Sequence, residues 1–322
     1  MQSSPAPSAN GTGSPPECAD GAVELRAGRA GATIAARGAE VISWSIAGRQ
    51  LLWSGDSAWW PQVSPILFPI VGRVREGRAL VDGVAYPLGI HGFASFQRFE
   101  ITEVLEGAVR LELRATPGTL ALYPFDFGLS IAYELTESGL SVAIEVANRG
   151  AGDMPYAVGF HPGFRWPLAA EPRSAHTVRF EAEERAEVPI LTPQGLFSDR
   201  RRPVPILGRD LPLSEDLFAQ GALCFLDAAS RSMVFGAGPG GPSIRMAAEN
   251  LPHLALWSRP GAGFLCMEAW SGHGDPDGFE GELRDKPSMR ILRPTERATH
   301  RVTLEYRGGM GAGHAAADAA RT

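Results

Sequence analysis

FGLSIAYEL at residues 127–135 and LSVAIEV at 140–146, joined by Thr136-Glu137-Ser138-Gly139, carry the clearest pattern in this chain. In the first run Phe127, Leu129, Ile131, Tyr133 and Leu135 share one face, while Gly128, Ser130, Ala132 and Glu134 share the other. Leu140, Val142, Ile144 and Val146 repeat the alternation in the second run. A side-chain period of two belongs to a strand with one buried face, and a short Gly-containing turn between two such runs predicts an antiparallel hairpin. Moving outward, VRLELR (109–114), TVRFE (177–181) and RVTLEY (301–306) show the same period. VISWSIAGRQLLW (41–53) reads as a second hairpin with Ala47-Gly48-Arg49 at its turn.

Helical patterning is thin. No window of a dozen residues shows a convincing apolar stripe at i, i+3, i+4 and i+7. The 26 prolines and 38 glycines cut the chain into runs too short for long helices. Many short strands punctuated by Gly and Pro, without a fixed-period repeat, predict an all-β fold, a large antiparallel sandwich or barrel. Residues 1–20 are mostly Ser, Pro, Gly, Ala and Asn and are expected to be a disordered leader, with residues 308–322 a matching flexible tail. No composition break divides residues 21–307, which predicts one large domain.

With 44% hydrophobic and 20% charged residues, the chain can bury a large core. A formal net charge of -6, without a basic stripe, argues against nucleic acid as a partner. Lys286 is the only lysine, all other cationic side chains being arginine, which fits a composition also rich in Ala, Gly and Pro. Cys18, Cys224 and Cys266 are odd in number and scattered, so buried reduced thiols are expected rather than a disulfide framework or a structural zinc site. The start, MQSSPAPSANGTGSPPECAD, has neither the basic n-region nor the apolar core of a secretory signal. No stretch reaches the ~18 unbroken apolar residues of a membrane span. A soluble, cytoplasmic protein with no membrane partner is the expectation.

The common nucleotide, zinc-protease and serine-hydrolase signatures are absent. Gly236-Ala237-Gly238-Pro239-Gly240-Gly241 lies between two strand-like runs and reads as a hairpin loop. Four polar residues stand in apolar surroundings. Arg73 ends the hydrophobic run Pro65–Gly72, where it either emerges into solvent or holds a ligand oxygen with its rigid donor fork. His91 (Gly89-Ile90-His91-Gly92-Phe93) and His161 (Gly159-Phe160-His161-Pro162-Gly163-Phe164) are either core or turn histidines or two members of one proton-transfer site. His273-Gly274-Asp275 joins them only if the fold delivers it. No carboxylate stands at a metal-ligand spacing from either histidine, and no metal or cofactor is expected. Glu268, inside Gly263-Phe264-Leu265-Cys266-Met267-Glu268-Ala269-Trp270, is either on an exposed face, paired with a buried arginine, or a desolvated general base.

In order along the chain, PILFPIVGRVREG (65–77), YPLGIHGFASFQRFE (86–100), VGFHPGFRWPL (158–168) and LALWSRPGAGFLCMEAWSG (254–272) resemble the motifs of the aldose 1-epimerases, the galactose mutarotase superfamily. The LacX-like bacterial branch is the most similar, and the resemblance spans about residues 22–306. It implies a β-supersandwich with a sugar site across one sheet. It also implies interconversion of the α and β anomers of a free aldose such as glucose or galactose. Matched position by position, Glu268 stands at the general base, His161 at the general acid, and His91 and Arg73 at sugar-binding positions. Three places depart from the family pattern: Ser95 replaces an arginine after His-Gly-Phe-Ala, Ala269 replaces a proline between Glu268 and Trp270, and Gly221 occupies an aspartate's place, with Asp216 five residues earlier. Two alternatives stay open. A hexose-6-phosphate epimerase would group cations around a phosphate, with Arg73, Arg75 and Arg98 as candidates; a non-catalytic carbohydrate-binding protein would keep the cleft without turnover.

Overall fold

A computed structural model describes residues 17–18, 21–168 and 170–309. Of the expected leader (1–20) and tail (308–322), only residues 17–18 and 308–309 fall within that range, the rest lying outside the described residues. Glu17–Cys18 forms a two-residue strand against Ala22–Ala27.

The hairpin of residues 127–146 sits inside a nine-stranded sheet. Its strands run in the order Asp210–Pro212, Thr177–Phe180, Ser232–Gly236, Ser243–Glu249, Arg297–Arg307, Gly139–Asn148, Phe127–Leu135, Ala108–Arg114 and Glu100–Leu105. All eight ladders are antiparallel. The hairpin closes on the pair Leu135↔Leu140, and the Thr136 N–H donates to the Gly139 carbonyl at 2.9 Å. Every apolar residue that the alternation assigns to its inner face is buried, from Phe127 to Val146. The glycine-rich stretch 236–241 lies at the connection between Ser232–Gly236 and Ser243–Glu249, as a hairpin loop should.

The second hairpin forms with one correction. Ile46 pairs with Arg49, so the turn is Ala47-Gly48 alone and Arg49 opens the returning strand. Both turn residues have positive φ, 52° and 80°, the twist that joins two right-handed strands through only two residues. This hairpin ends a five-stranded meander whose Ile34, Val41 and Trp44 enter the main core.

Facing the large sheet is a six-stranded one. Leu223–Phe225, His253–Trp257, Phe264–Trp270, Gly159–Phe160 and Ile66–Leu67 lie in that order, and Gly163–Arg165 also pairs with Phe264–Trp270. Phe264–Trp270 is buried at all seven positions. Its odd-numbered members Leu265, Met267 and Ala269 join Ile131 and Ile144 in the main core. Its even-numbered members Phe264, Cys266 and Trp270 pack into two smaller clusters on the opposite face, with Trp53 and Trp60 in one and Leu67 and Cys224 in the other. A sheet covered on both faces reads in sequence as a continuous apolar run, and this one has its second cover of loops and tryptophans. Helix is confined, among the described residues, to Pro117–Leu120 and five short 3-10 turns. The architecture is an all-β sandwich, as the alternation predicts.

Candidate active site

Glu268 belongs to the even-numbered face of its strand, which directs its carboxyl away from the main core while leaving it only 1% exposed. Trp270, two residues on and on the same face, donates its Nε1–H to Glu268 Oε2 at 3.0 Å. Opposite Trp270 in the ladder is Gly159, where a Cβ would stand 2.8 Å from the indole Cδ1. The glycine therefore makes room for the ring that holds the carboxyl. Phe160 turns into the main core, and the next residue, His161, faces the opposite way. Its Nε2 lies 3.3 Å from Glu268 Oε2. The imidazole is held by Trp60, with ring centroids 5.0 Å apart, and by the edge of Trp257 at 5.8 Å.

His91 comes from a loop with left-handed backbone, φ 62° at His91 and 74° at Gly92. A Cβ at Gly92 would fall 2.3 Å from the Phe68 carbonyl oxygen, so only glycine fits there. The His91 N–H donates to the Gly72 carbonyl at 2.8 Å, and the Gly72 N–H donates to His91 Nδ1 at 3.1 Å. Nδ1 is thus an acceptor, and in the neutral ring the proton sits on Nε2. The His91 and His161 rings meet edge to face at 5.6 Å. Arg73, next to Gly72, packs over Gly195, and its guanidinium has no ion-pair partner among the described residues. Glu268, His161, His91 and Arg73 all line one cavity of about 370 Å³, a size suited to a small polar molecule.

Burial governs the protonation of this group. It pushes the Glu268 carboxyl up to about 8, against the opposing effect of the Trp270 hydrogen bond. It holds the His161 imidazole well below its ordinary value, helped by the neighbouring His91. Burial, then Arg73, lowers His91 to about 4. Over the neutral range the cavity holds a carboxyl and an imidazole in contact with one ionisable proton between them, beside a neutral His91 whose proton is on Nε2. No group of three or more His, Cys, Asp or Glu among the described residues is arranged to hold a metal ion. Cys224 and Cys266 are free and buried.

Other candidates are not brought to this place. Arg75 pairs with Glu280 at 2.5 Å and shares a second cavity with Arg73, and Arg98 packs on Gly21; neither Arg75 nor Arg98 lines the cavity of Glu268, so the three arginines do not converge there. His273 donates Nδ1–H to the Gly274 carbonyl at 2.9 Å, meets His253 edge to face and packs tilted against Phe197, a cavity residue, without lining the cavity itself. Asp216 is exposed on the 3-10 turn Glu215–Phe218 and does not line the cavity, whereas Gly221 does. Sequence reading missed Trp60, Trp257 and Arg259, which also line the cavity. Trp257 had a signal, since it shares a strand face with Ala255 opposite Glu268. The other two sit on loops whose positions only tertiary packing sets.

The chain matches the family model described as aldose 1-epimerase over residues 21–304. It is 28% identical over 269 residues to protein LacX (plasmid) of Lactococcus lactis subsp. lactis, covering 80% of this chain and 90% of that one. A crystal structure of a galactose mutarotase-like protein from Lactobacillus casei ATCC 334 superposes with a TM-score of 0.82 at 26% identity, covering 89% of this chain and 100% of that one. A galactose mutarotase related enzyme from Lactobacillus acidophilus also superposes with a TM-score of 0.82, at 25% identity, covering 89% and 98%. The chain belongs to the aldose 1-epimerase family, in its LacX-like branch.

Proposed function

We propose that this protein is an aldose mutarotase that opens and recloses the ring of a free aldose, with Glu268 as general base, His161 as general acid, and His91 and Arg73 binding the sugar. The observation that carries the reading is the 3.3 Å contact between Glu268 Oε2 and His161 Nε2 in the wall of the cavity. The C1 hydroxyl oxygen and the ring oxygen are bonded to the same carbon, so a base for one and an acid for the other must be near neighbours. In the opening step carboxylate Glu268 takes the proton of the C1 hydroxyl, the C1–ring-oxygen bond breaks, and imidazolium His161 protonates the departing oxygen. The products are an open aldehyde, a neutral carboxyl and a neutral imidazole, the protonation that burial favours. Rotation about C1–C2 offers the other carbonyl face, and reclosure returns both protons. Each proton transfer of this kind contributes roughly 10²–10⁴ in rate. His91, donating from Nε2, and Arg73 supply hydrogen bonds to hydroxyl oxygens, and Trp60 and Trp257 offer faces on which a sugar ring can lie.

Free sugar and two buried reduced cysteines fit a cytoplasmic setting; no helix among the described residues is long and apolar enough to cross a membrane. One observation favours a second reading. Arg73 and Arg259 both line the cavity, whose single acidic side chain is Glu268, so a phosphorylated hexose would find cations there. NMR exchange or polarimetry on freshly dissolved α-D-glucose, α-D-galactose and glucose 6-phosphate tests both readings. Acceleration of a free aldose is expected. A strong preference for glucose 6-phosphate selects the second reading, and sugar affinity with no exchange for any aldose overturns the enzymatic one.

A further inference from the structure

Lys286, the single lysine of the sequence, is completely buried, and its Nζ lies 3.1 Å from Oδ1 of Asp275, itself 6% exposed. Asp275 ties together three segments. Its Oδ2 accepts from the Arg75 N–H at 2.8 Å, its N–H donates to the Arg73 carbonyl at 2.9 Å, and its carbonyl accepts from the Phe197 N–H at 2.9 Å. The contact is too close for side chains. A Cβ on Gly72 would lie 2.9 Å from Gly274 Cα, and one on Gly274 would lie 3.2 Å from the Arg73 backbone. Residues 72–75 are therefore laid directly on residues 273–275, with Lys286 behind them. The same short loop carries Arg73 into the cavity and supplies the Gly72 N–H that fixes the proton of His91 on Nε2.

Resting on the mutarotase reading, we propose that Lys286 and Asp275 are positioning residues that hold the Gly72–Arg75 loop so that Arg73 and the Nε2–H tautomer of His91 face the sugar. Stability alone gives a poor reason for such a pair. Two charges taken out of water regain at best about what they lost, and apolar side chains of similar volume often do as well or better. Apolar side chains cannot, however, accept the Arg75 N–H or anchor the loop by charge.

The test is the double variant Asp275→Leu/Lys286→Met, which replaces the pair by apolar groups without stranding a charge. Full-length protein is to be compared with wild type by anomer-exchange kinetics and by nitrogen-15 spectra of the ligand-free imidazoles. The expected result is a cooperatively folded protein with KM raised about tenfold or more, kcat reduced only a few-fold, and His91 signals shifted from the Nε2–H tautomer to a mixture. A folded double variant with wild-type KM and an unchanged His91 tautomer overturns the proposal. If the double variant does not fold, Asp275→Asn decides by the same two measurements, with a smaller shift of each expected and wild-type values for both overturning it. The spectra require no turnover. A wild-type protein without exchange activity would therefore sink the mutarotase reading while the tautomer comparison still judges the positioning role.

Discussion

The two sheets of the sandwich are built from different kinds of strand. In the nine-stranded sheet, Phe127–Leu135 and Gly139–Asn148 bury one face, while Glu134 on the other remains exposed. In the six-stranded sheet, Phe264–Trp270 is buried on both faces, and the second face carries the carboxyl of Glu268. Glu134 on the first sheet is solvated. Glu268 on the second is held near protonation by burial and has an imidazole in contact. The one-sided sheet supplies the stable frame, and the two-sided sheet holds a common side chain desolvated against an imidazole.

Carboxylate removal from each sheet should separate the two most sharply. Glu268→Gln keeps the shape and loses the proton acceptor, so turnover should fall by roughly 10²–10⁴ with sugar affinity within a few-fold. Glu134→Gln should leave both unchanged. His161→Asn should resemble Glu268→Gln, and the double variant should be scarcely worse than the poorer single because the two act as one unit. Anomer exchange by NMR and calorimetric titration measure both quantities. A well-folded Glu268→Gln protein with wild-type turnover would remove that residue from the mechanism.

A second pair of substitutions tests whether the sheets are coupled to the site differently. Ile144→Ala and Met267→Ala each open the shared core and should each cost about 2–5 kcal/mol in denaturant unfolding. Only Met267→Ala should also slow turnover in the folded protein, because its strand carries Glu268 one residue away. Equal, wild-type kcat in both variants would show that the core tolerates the gap without moving the carboxyl.

Proton counting predicts the pH profile of kcat/KM. In the proposed mechanism activity needs one proton on the Glu268–His161 pair, so it should be lost when that proton leaves and when a second one binds. With Glu268 at about 8 and His161 held well below its ordinary 6.5, the profile should be a broad bell with its alkaline limb near pH 8. A profile flat through that region would contradict the shared proton.

The smallest effect expected is thermal. Between its ordinary 4.5 and about 8, Glu268 keeps in the folded protein a proton that the unfolded chain has released. Its contribution to stability is present below that window and lost as pH rises through it. Glu268→Gln should therefore raise Tm by a few degrees more near pH 9 than near pH 5, whereas Glu134→Gln should show no such trend. A pH-independent Tm difference for Glu268→Gln would mean that the carboxyl is not desolvated.

The contrast also explains what the sequence disclosed. Alternation is visible where one face is wet, so the hairpin of residues 127–146 and most strands of its sheet can be read directly, down to the pair Leu135↔Leu140. In Phe264–Trp270 alternation is hidden, yet the lone carboxylate in an apolar run is the clue that singles out Glu268. His91 and His161 stand out for the same reason, and the family motifs place Arg73 beside them. Trp60, Arg259 and the Lys286–Asp275 pair stay silent because their roles arise only when distant loops are laid against one another. Lys286 is conspicuous as the single lysine, yet nothing around it in the chain signals its burial.

Hydrogen bonds run along both edges of Phe264–Trp270, to His253–Trp257 on one side and to Gly159–Phe160 and Gly163–Arg165 on the other. Moving the Glu268 backbone out of its place requires breaking two ladders at once, which is a cooperative opening of the sheet rather than of a local segment. Heat inactivation should then follow the melting curve with no earlier loss of rate. The amides of this strand should be among the last to exchange in deuterated solvent. The strand that carries the proposed general base is then the part of the protein that is last to come apart.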